Sequence, residues 1–188
     1  GAVLDLQAYS ADRVVTCGDD RQVIFWKAAE DTQLLYKNTK NDTNCLALLN
    51  DEYFLTASIE SIIDLWSFKK KKPICKLKEC HSNLTPKNKH EYAWITSMSS
   101  IRNSDLFCSA GVDTSINFYK FKESEKSIEK MGSLPLHDGF VEGTVNTVRF
   151  SHKRNYLAYS TSDEQKLGRW FTTKPEKTGI HIVKLAYK

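Results

Sequence analysis

The chain has 188 residues, 40% of them apolar and 11% aromatic, with five cysteines and a formal net charge of +4 at pH 7. That length and apolar content can bury a sizeable core, which argues against disorder, and the absence of any run near 18 apolar residues or of a signal-peptide pattern argues against a membrane span and against secretion. A charge of +4 is modest for a nucleic-acid binder, so its distribution matters more than its total.

Short apolar alternations bounded by Asp, Asn, Ser, Lys and Gly clusters predict strands along the whole chain, and no stretch carries a helical period long enough to compete. In chain order, Val3, Leu4 and Leu6 mark a first strand, followed by Val14 to Cys17, Val23 to Trp26 and Leu34 to Tyr36. A second set runs Cys45 to Leu49, Phe54 to Ser58, Ile63 to Trp66 and Ile74 to Leu77. A third runs Ile95 to Ile101, Leu106 to Ala110, Ile116 to Tyr119 and Ile128 to Met131. A fourth runs Val145 to Phe150, Tyr156 to Ser160, Leu167 to Trp170 and Ile180 to Leu185. The units therefore span 1–37, 42–77, 93–131 and 144–185, with 78–92 as a long polar connection.

One ladder recurs in all four units: a Ser or Thr, an acid four residues on, and an aromatic six residues after that. Its rungs are Thr16, Asp20 and Trp26; Thr56, Glu60 and Trp66; Ser109, Asp113 and Tyr119; and Ser160, Glu164 and Trp170. A fixed pattern at this period marks four-stranded antiparallel blades of an all-β propeller of the WD40 type. Catalysis needs one histidine within reach of one hydroxyl, oriented by a third group and open to substrate. A hydroxyl and an acid in every repeat do not fit that requirement, and no residue is assigned a catalytic role. The same set in WD blades forms a buried hydrogen-bonded network headed by a histidine before the first strand. Here His81 or His90 precedes only the third unit. Cys17, Cys45, Cys75, Cys80 and Cys108 are odd in number, lie mostly in predicted strands and lack CxxC spacing. They read as reduced, buried thiols, with no metal or cofactor assigned.

The fourth repeat, GTVNTVRFSHKRNYLAYSTSDEQKLGRWF with IHIVKL after it, resembles the last repeat of the U3 small nucleolar ribonucleoprotein-associated WD-repeat family. WITSMSSIRNSDLFCSAGVDTSINFY, SFKKKKPICKLKECHS and AVLDLQAYSADRVVTCGDDRQVIFWK are similar to that family's upstream repeats in order and spacing. The resemblance implies a non-enzymatic scaffold of the nucleus and nucleolus that binds the box B/C region of U3 snoRNA beside a kink-turn-binding protein. It also implies other partners in the small-subunit processome, in rRNA processing for ribosome biogenesis. The family's seven blades would make this chain the carboxy-terminal four. A generic WD40 platform for acidic peptides, as in ubiquitin-ligase or chromatin complexes, is the alternative.

Charge segregates between the two rims that such blades present. The first-to-second and third-to-fourth strand connections carry Arg13, Lys27, Lys69, Lys70, Lys71, Lys72, Arg102, Lys120, Lys122, Lys153, Arg154, Lys174 and Lys177. The turns between second and third strands carry Asp19, Asp20, Glu60, Asp113, Asp163 and Glu164. The basic rim suits RNA phosphates, with Lys69 to Lys72, Lys153, Arg154 and Lys174 as the contacts; it equally suits hairpin tips kept soluble by lysine. Glu30, Asp31, Asp51, Glu52, Glu123 and Glu125 dilute it. Lys87, Lys89 and Tyr92, in the long connection, are second-choice contacts, or belong to an insertion without one. Arg169, one residue before an aromatic where other units place Phe25, Leu65 and Phe118, is expected to point into a sheet interface as a buried pair, or to meet RNA or a partner. Four blades form an open arc whose apolar flanks are expected to self-associate.

Overall fold

The structure, a computed structural model, describes residues 1–36, 42–81, 93–135, 143–165, 168–172 and 178–186, the side chains at 135, 165 and 168–172 excepted. The first unit is one antiparallel sheet, β1 (Val3–Ser10), β2 (Arg13–Gly18), β3 (Val23–Lys27) and β4 (Thr32–Tyr36), paired in chain order. A single 3-10 turn, Ala28–Glu30, separates β3 from β4. The second unit repeats this with β5 (Thr43–Leu48), β6 (Tyr53–Ser58), β7 (Ile63–Ser67) and β8 (Cys75–Leu77). The third does so with β9 (Ile95–Ser100), β10 (Leu106–Gly111), β11 (Ser115–Lys122) and β12 (Ser127–Pro135).

The tight hairpins have a local cause. The turns from second to third strand in these three units each hold one residue in the left-handed region, Arg21 (φ 62°), Ser61 (φ 58°) and Thr114 (φ 54°). That conformation lets a short loop match the twist of the strands it joins.

The fourth unit departs from the expected order. β13 (Thr144–Phe150) pairs with β14 (Tyr156–Ser162), but β15 (Glu164–Gln165) and β16 (Gly168–Thr172) form a hairpin of their own, and β17 (Gly179–Lys184) pairs directly with β14. The expectation that 167–170 is the third strand and 180–185 the fourth is therefore corrected. β17 holds the third position, and β15–β16 is an insertion in the connection before it.

The first strands β1, β5, β9 and β13 pack side by side in chain order, so the four units fan around a common axis with these strands innermost. Three apolar seams hold neighbouring units together. Val15, Cys17, Val23 and Phe25 meet Leu46, Phe54 and Trp66 between units one and two. Leu55, Ile63 and Leu65 meet Met98, Phe107, Tyr119 and Phe121 between units two and three. Cys108, Ala110 and Ile116 meet Val145, Val148, Leu157 and Tyr159 between units three and four. Burying each large side chain of this kind contributes roughly 1.5–3 kcal/mol. The outer flanks have no such neighbour among the described residues, leaving Leu6 58% and Trp26 41% exposed on the first unit and Ile180 79% and Ile182 69% exposed on the fourth.

Candidate nucleic-acid interface

The ladder places a hydroxyl on the second strand and an aromatic on the third, on the face turned toward the preceding unit. Opposed positions explain the spacing: Trp66 pairs with Phe54 and Thr56 with Asp64, so the indole Nε1–H reaches Thr56 Oγ1 at 2.9 Å. Trp26 donates to Thr16 Oγ1 at 2.8 Å in the same way. In the third unit the Tyr119 ring stacks on Phe107 and its hydroxyl lies 3.4 Å from Ser109 Oγ.

Only the third unit completes the network among the described residues. His81 Nε2 lies 2.7 Å from Ser109 Oγ and His81 Nδ1 lies 2.8 Å from Asp113 Oδ1, with Ser115 Oγ also at hydrogen-bond distance. The histidine is thus His81; His90 lies outside the described residues. The arrangement is that of a Ser–His–Asp triad, yet the His81 side chain is 0% exposed and that of Asp113 is 7%. Gly111 seals it: a Cβ there would stand 2.8 Å from His81 Nδ1. A hydroxyl that no substrate can reach performs no acyl transfer, so these groups tie the polypeptide together. The acids of the first two units, expected in such a network, are exposed where the Asp113 side chain is buried. Asp20 and Glu60 sit on exposed turns, where Asp20 Oδ1 accepts the Gln22 N–H.

The fourth rung is corrected. Ser160 faces the free outer flank, while its neighbour Thr161 is buried at 3% exposure. Thr161 Oγ1 lies 3.0 Å from His181 Nε2, and His181 stacks on Tyr159 as Trp66 does on Phe54. The working pair is Thr161 with His181, because strand side chains alternate and a slip of one residue turns every side chain to the other face. Trp170 belongs to the inserted hairpin by its backbone. Arg169 shares that hairpin, so the basis for burying it in a third strand is removed; both side chains lie outside the described residues.

Six described cations of the basic rim already have acids. Arg13 and Lys27 converge on Glu30 at 3.3 and 2.9 Å, Lys69 meets Glu52 at 2.6 Å, Arg102 meets Asp51 at 3.4 Å, Lys120 meets Asp105 at 3.3 Å and Lys122 meets Glu129 at 3.0 Å. Glu52 raises the pKa of Lys69 and is itself held below the usual carboxylate range by the ammonium. Exposed pairs of this kind add little stability, but they neutralise the field a phosphate would meet. Lys70, Lys71, Lys72 and Lys153 carry no ion pair among the described residues and are exposed, as is Arg154. Lys70 to Lys72 and Lys153–Arg154 lie two units apart on this rim. Lys174, Lys87, Lys89 and Tyr92 lie outside the described residues.

Sequence reasoning passed over Arg149. Its Nη1 donates to Met98 O and Val148 O at 2.9 Å and to Ser97 Oγ at 3.2 Å. It lines an axial cleft of about 260 Å³ together with Arg102, Gln7, Ser99 and Ser100. The available signal was a cation at an alternate position of an innermost strand.

No protein-family model matches the chain. Curated relatives do. A U3 snoRNP-associated protein-like sequence from Arabidopsis thaliana is 26% identical over 186 residues, covering 96% of this chain and 38% of the relative. One from Oryza sativa subsp. japonica is 28% identical over 199 residues with the same coverage. The human U3 small nucleolar RNA-interacting protein 2 is 26% identical over 155 residues, covering 82% of this chain and 32% of that protein. The chain thus spans about two fifths or less of the relatives' length. Among solved structures, U3-55K and the RRP9 WD40 repeats each superpose with TM-score 0.87 at 26% identity, over 97% of this chain and 54% of theirs. The fold is that of WD40 propeller blades, and the chain is similar to U3 snoRNP-associated WD-repeat proteins.

Proposed function

We propose that the chain is the blade-bearing part of a U3 snoRNP scaffold that binds the box B/C region of U3 snoRNA beside the kink-turn-binding protein. It works in the nucleolus, in pre-rRNA processing for the small ribosomal subunit, and performs no chemistry of its own. The observation that carries this reading is the superposition on U3-55K over 97% of the chain at 26% identity. The buried state of the Ser109–His81–Asp113 group supports it, since the most enzyme-like cluster of the described residues is a structural tie. RNA meets the rim bearing Lys70, Lys71, Lys72, Lys153 and Arg154, whose ammonium and guanidinium groups suit phosphate oxygens.

Electrophoretic binding of the full-length protein to U3 box B/C RNA, with and without the kink-turn-binding protein, tests the reading. Retarded RNA, with a further shift on adding that protein, is the expected result. No shift in either lane, with capture of an acidic peptide instead, overturns it.

A further inference from the structure

Two arginines of the axial cleft are held as if for a ligand. Arg149 is fixed by two backbone carbonyls and the Ser97 hydroxyl, all on Nη1, which leaves its Nε and Nη2 N–H groups without a partner among the described residues. Arg102 reaches across from the third unit to the first, donating through Nη2 to Tyr9 O at 2.8 Å. Its contact with Asp51, at 3.4 Å, falls on a carboxylate that is 72% exposed. Both arginines line the cleft, and no acidic residue among the described ones does.

Carbonyl anchoring removes rotamer freedom before any ligand arrives, so less is lost on binding. The planar N–H fork that remains matches two oxygens of a phosphate. Hydroxyls of Ser99 and Ser100 also line the cleft, but Ser99 Oγ accepts the Phe150 N–H and Ser100 Oγ donates to Leu48 O, so the guanidinium groups supply the open donors. The positive track continues outward from this point. Arg154 Nη2 donates to Arg102 O at 3.3 Å, which places the exposed Lys153–Arg154 turn directly beside the Arg102 turn. A single small anion would engage the cleft alone, whereas a polyanion engages cleft and track together.

We infer that the axial cleft seats one phosphodiester of the bound RNA strand between Arg149 and Arg102, with the strand leaving over Lys153 and Arg154. This rests on the reading that this rim faces RNA, and it adds the cleft as the anchoring point.

The test uses a single-stranded uridine decamer, with a poly-glutamate peptide as the competing polyanion, and follows fluorescence anisotropy of the full-length protein. The Arg102→Gln and Arg149→Gln variants should each weaken decamer binding about tenfold, since each loses a charge-assisted pair of N–H···O bonds. The salt slope of the double variant should fall by about 1, the share of a single phosphate. Arg149→Lys should recover only part of the loss, because it keeps the charge without the fork. Arg102 sits on an exposed turn, so its variant reports even if a change at Arg149 disturbs folding. Equal decamer affinity in Arg102→Gln and the unaltered protein, or binding of poly-glutamate in preference to the decamer, overturns the inference. Recognition of U3 is read separately on box B/C RNA, so specific binding there with no effect of the two arginines would sink the cleft and leave the function standing.

Discussion

Tyr159 and His181 face each other across β14 and β17 with ring centroids 4.9 Å apart and planes inclined by 16°, in the register that Phe54 and Trp66 hold across β6 and β7. The histidine therefore stands where the other units place Trp or Tyr, and its partner hydroxyl is that of Thr161. Thr161→Ala should cost about 0.5–1.5 kcal/mol, the net worth of one hydrogen bond, and Ser160→Ala less than about 0.5 kcal/mol. Chemical denaturation of the two variants checks the order. A larger loss from Ser160→Ala would restore the rung first read from the sequence.

The His81 network makes a stronger demand. His81→Ala leaves Ser109 and the Asp113 carboxylate buried without their principal partner, which should cost roughly 2–4 kcal/mol. For a chain of this length that corresponds to a fall in Tm of about 4–16 °C by calorimetry. An unchanged Tm would show that the network is not a tie between the segment before β9 and the third sheet.

Asp64 gives a pH dependence. Its pKa is raised, first by burial, with the Lys76 hydrogen bond and charge opposing the rise in part. The folded state therefore holds the proton more tightly than the unfolded chain. The stability this contributes is present below the ordinary Asp pKa, about 3.9, and is lost as pH rises through the folded value. Thermal melts should show Asp64→Asn gaining on the unaltered protein as pH climbs from about 3 to about 7. A gain that shrinks over that range would mean the Lys76 pair outweighs burial.

The free flanks lead to a prediction about assembly. Val3, Leu6 and Trp26 on the first unit and Ile180 and Ile182 on the fourth form apolar surfaces with no covering sheet among the described residues. The 188-residue chain should self-associate, and replacing Ile180 and Ile182 together by Lys should shift it toward the monomer. Light scattering decides this: a strict monomer near 21.5 kDa at high concentration would refute it.

Much of the architecture was legible because it rests on local patterns. Alternation within Phe54 to Ser58 or Leu106 to Ala110 locates a strand, and in the first three units the hydroxyl-to-aromatic offset reports two residues that are diagonal neighbours on one face of a hairpin. The fourth unit failed for a physical reason. Ser160 and Trp170 reproduce the offset in number, but a hairpin inserted between β14 and β17 breaks the link between offset and pairing. Rim charge was only half legible. Lys69 and Glu52 lie 17 positions apart, and a list of lysines does not reveal which are already neutralised. Arg149 was hidden because its role depends on four strands meeting at one axis.

In this reading the rim carrying the exposed Lys70, Lys71, Lys153 and Arg154 is the one that faces RNA. Its most direct test is the salt dependence of U3 box B/C RNA binding by the full-length protein and by a variant with Lys70, Lys71, Lys153 and Arg154 all changed to Ala. Phosphate contacts release counterions, so the variant should bind more weakly to every RNA sequence, and its slope of log K against log salt should fall by up to about 3 to 4. Its Tm should scarcely move, since exposed loop charges contribute under about 0.5 kcal/mol each. Affinity and slope equal to those of the unaltered protein, with binding lost instead on replacing Lys87, Lys89 and Tyr92, would place the contact elsewhere and contradict the account.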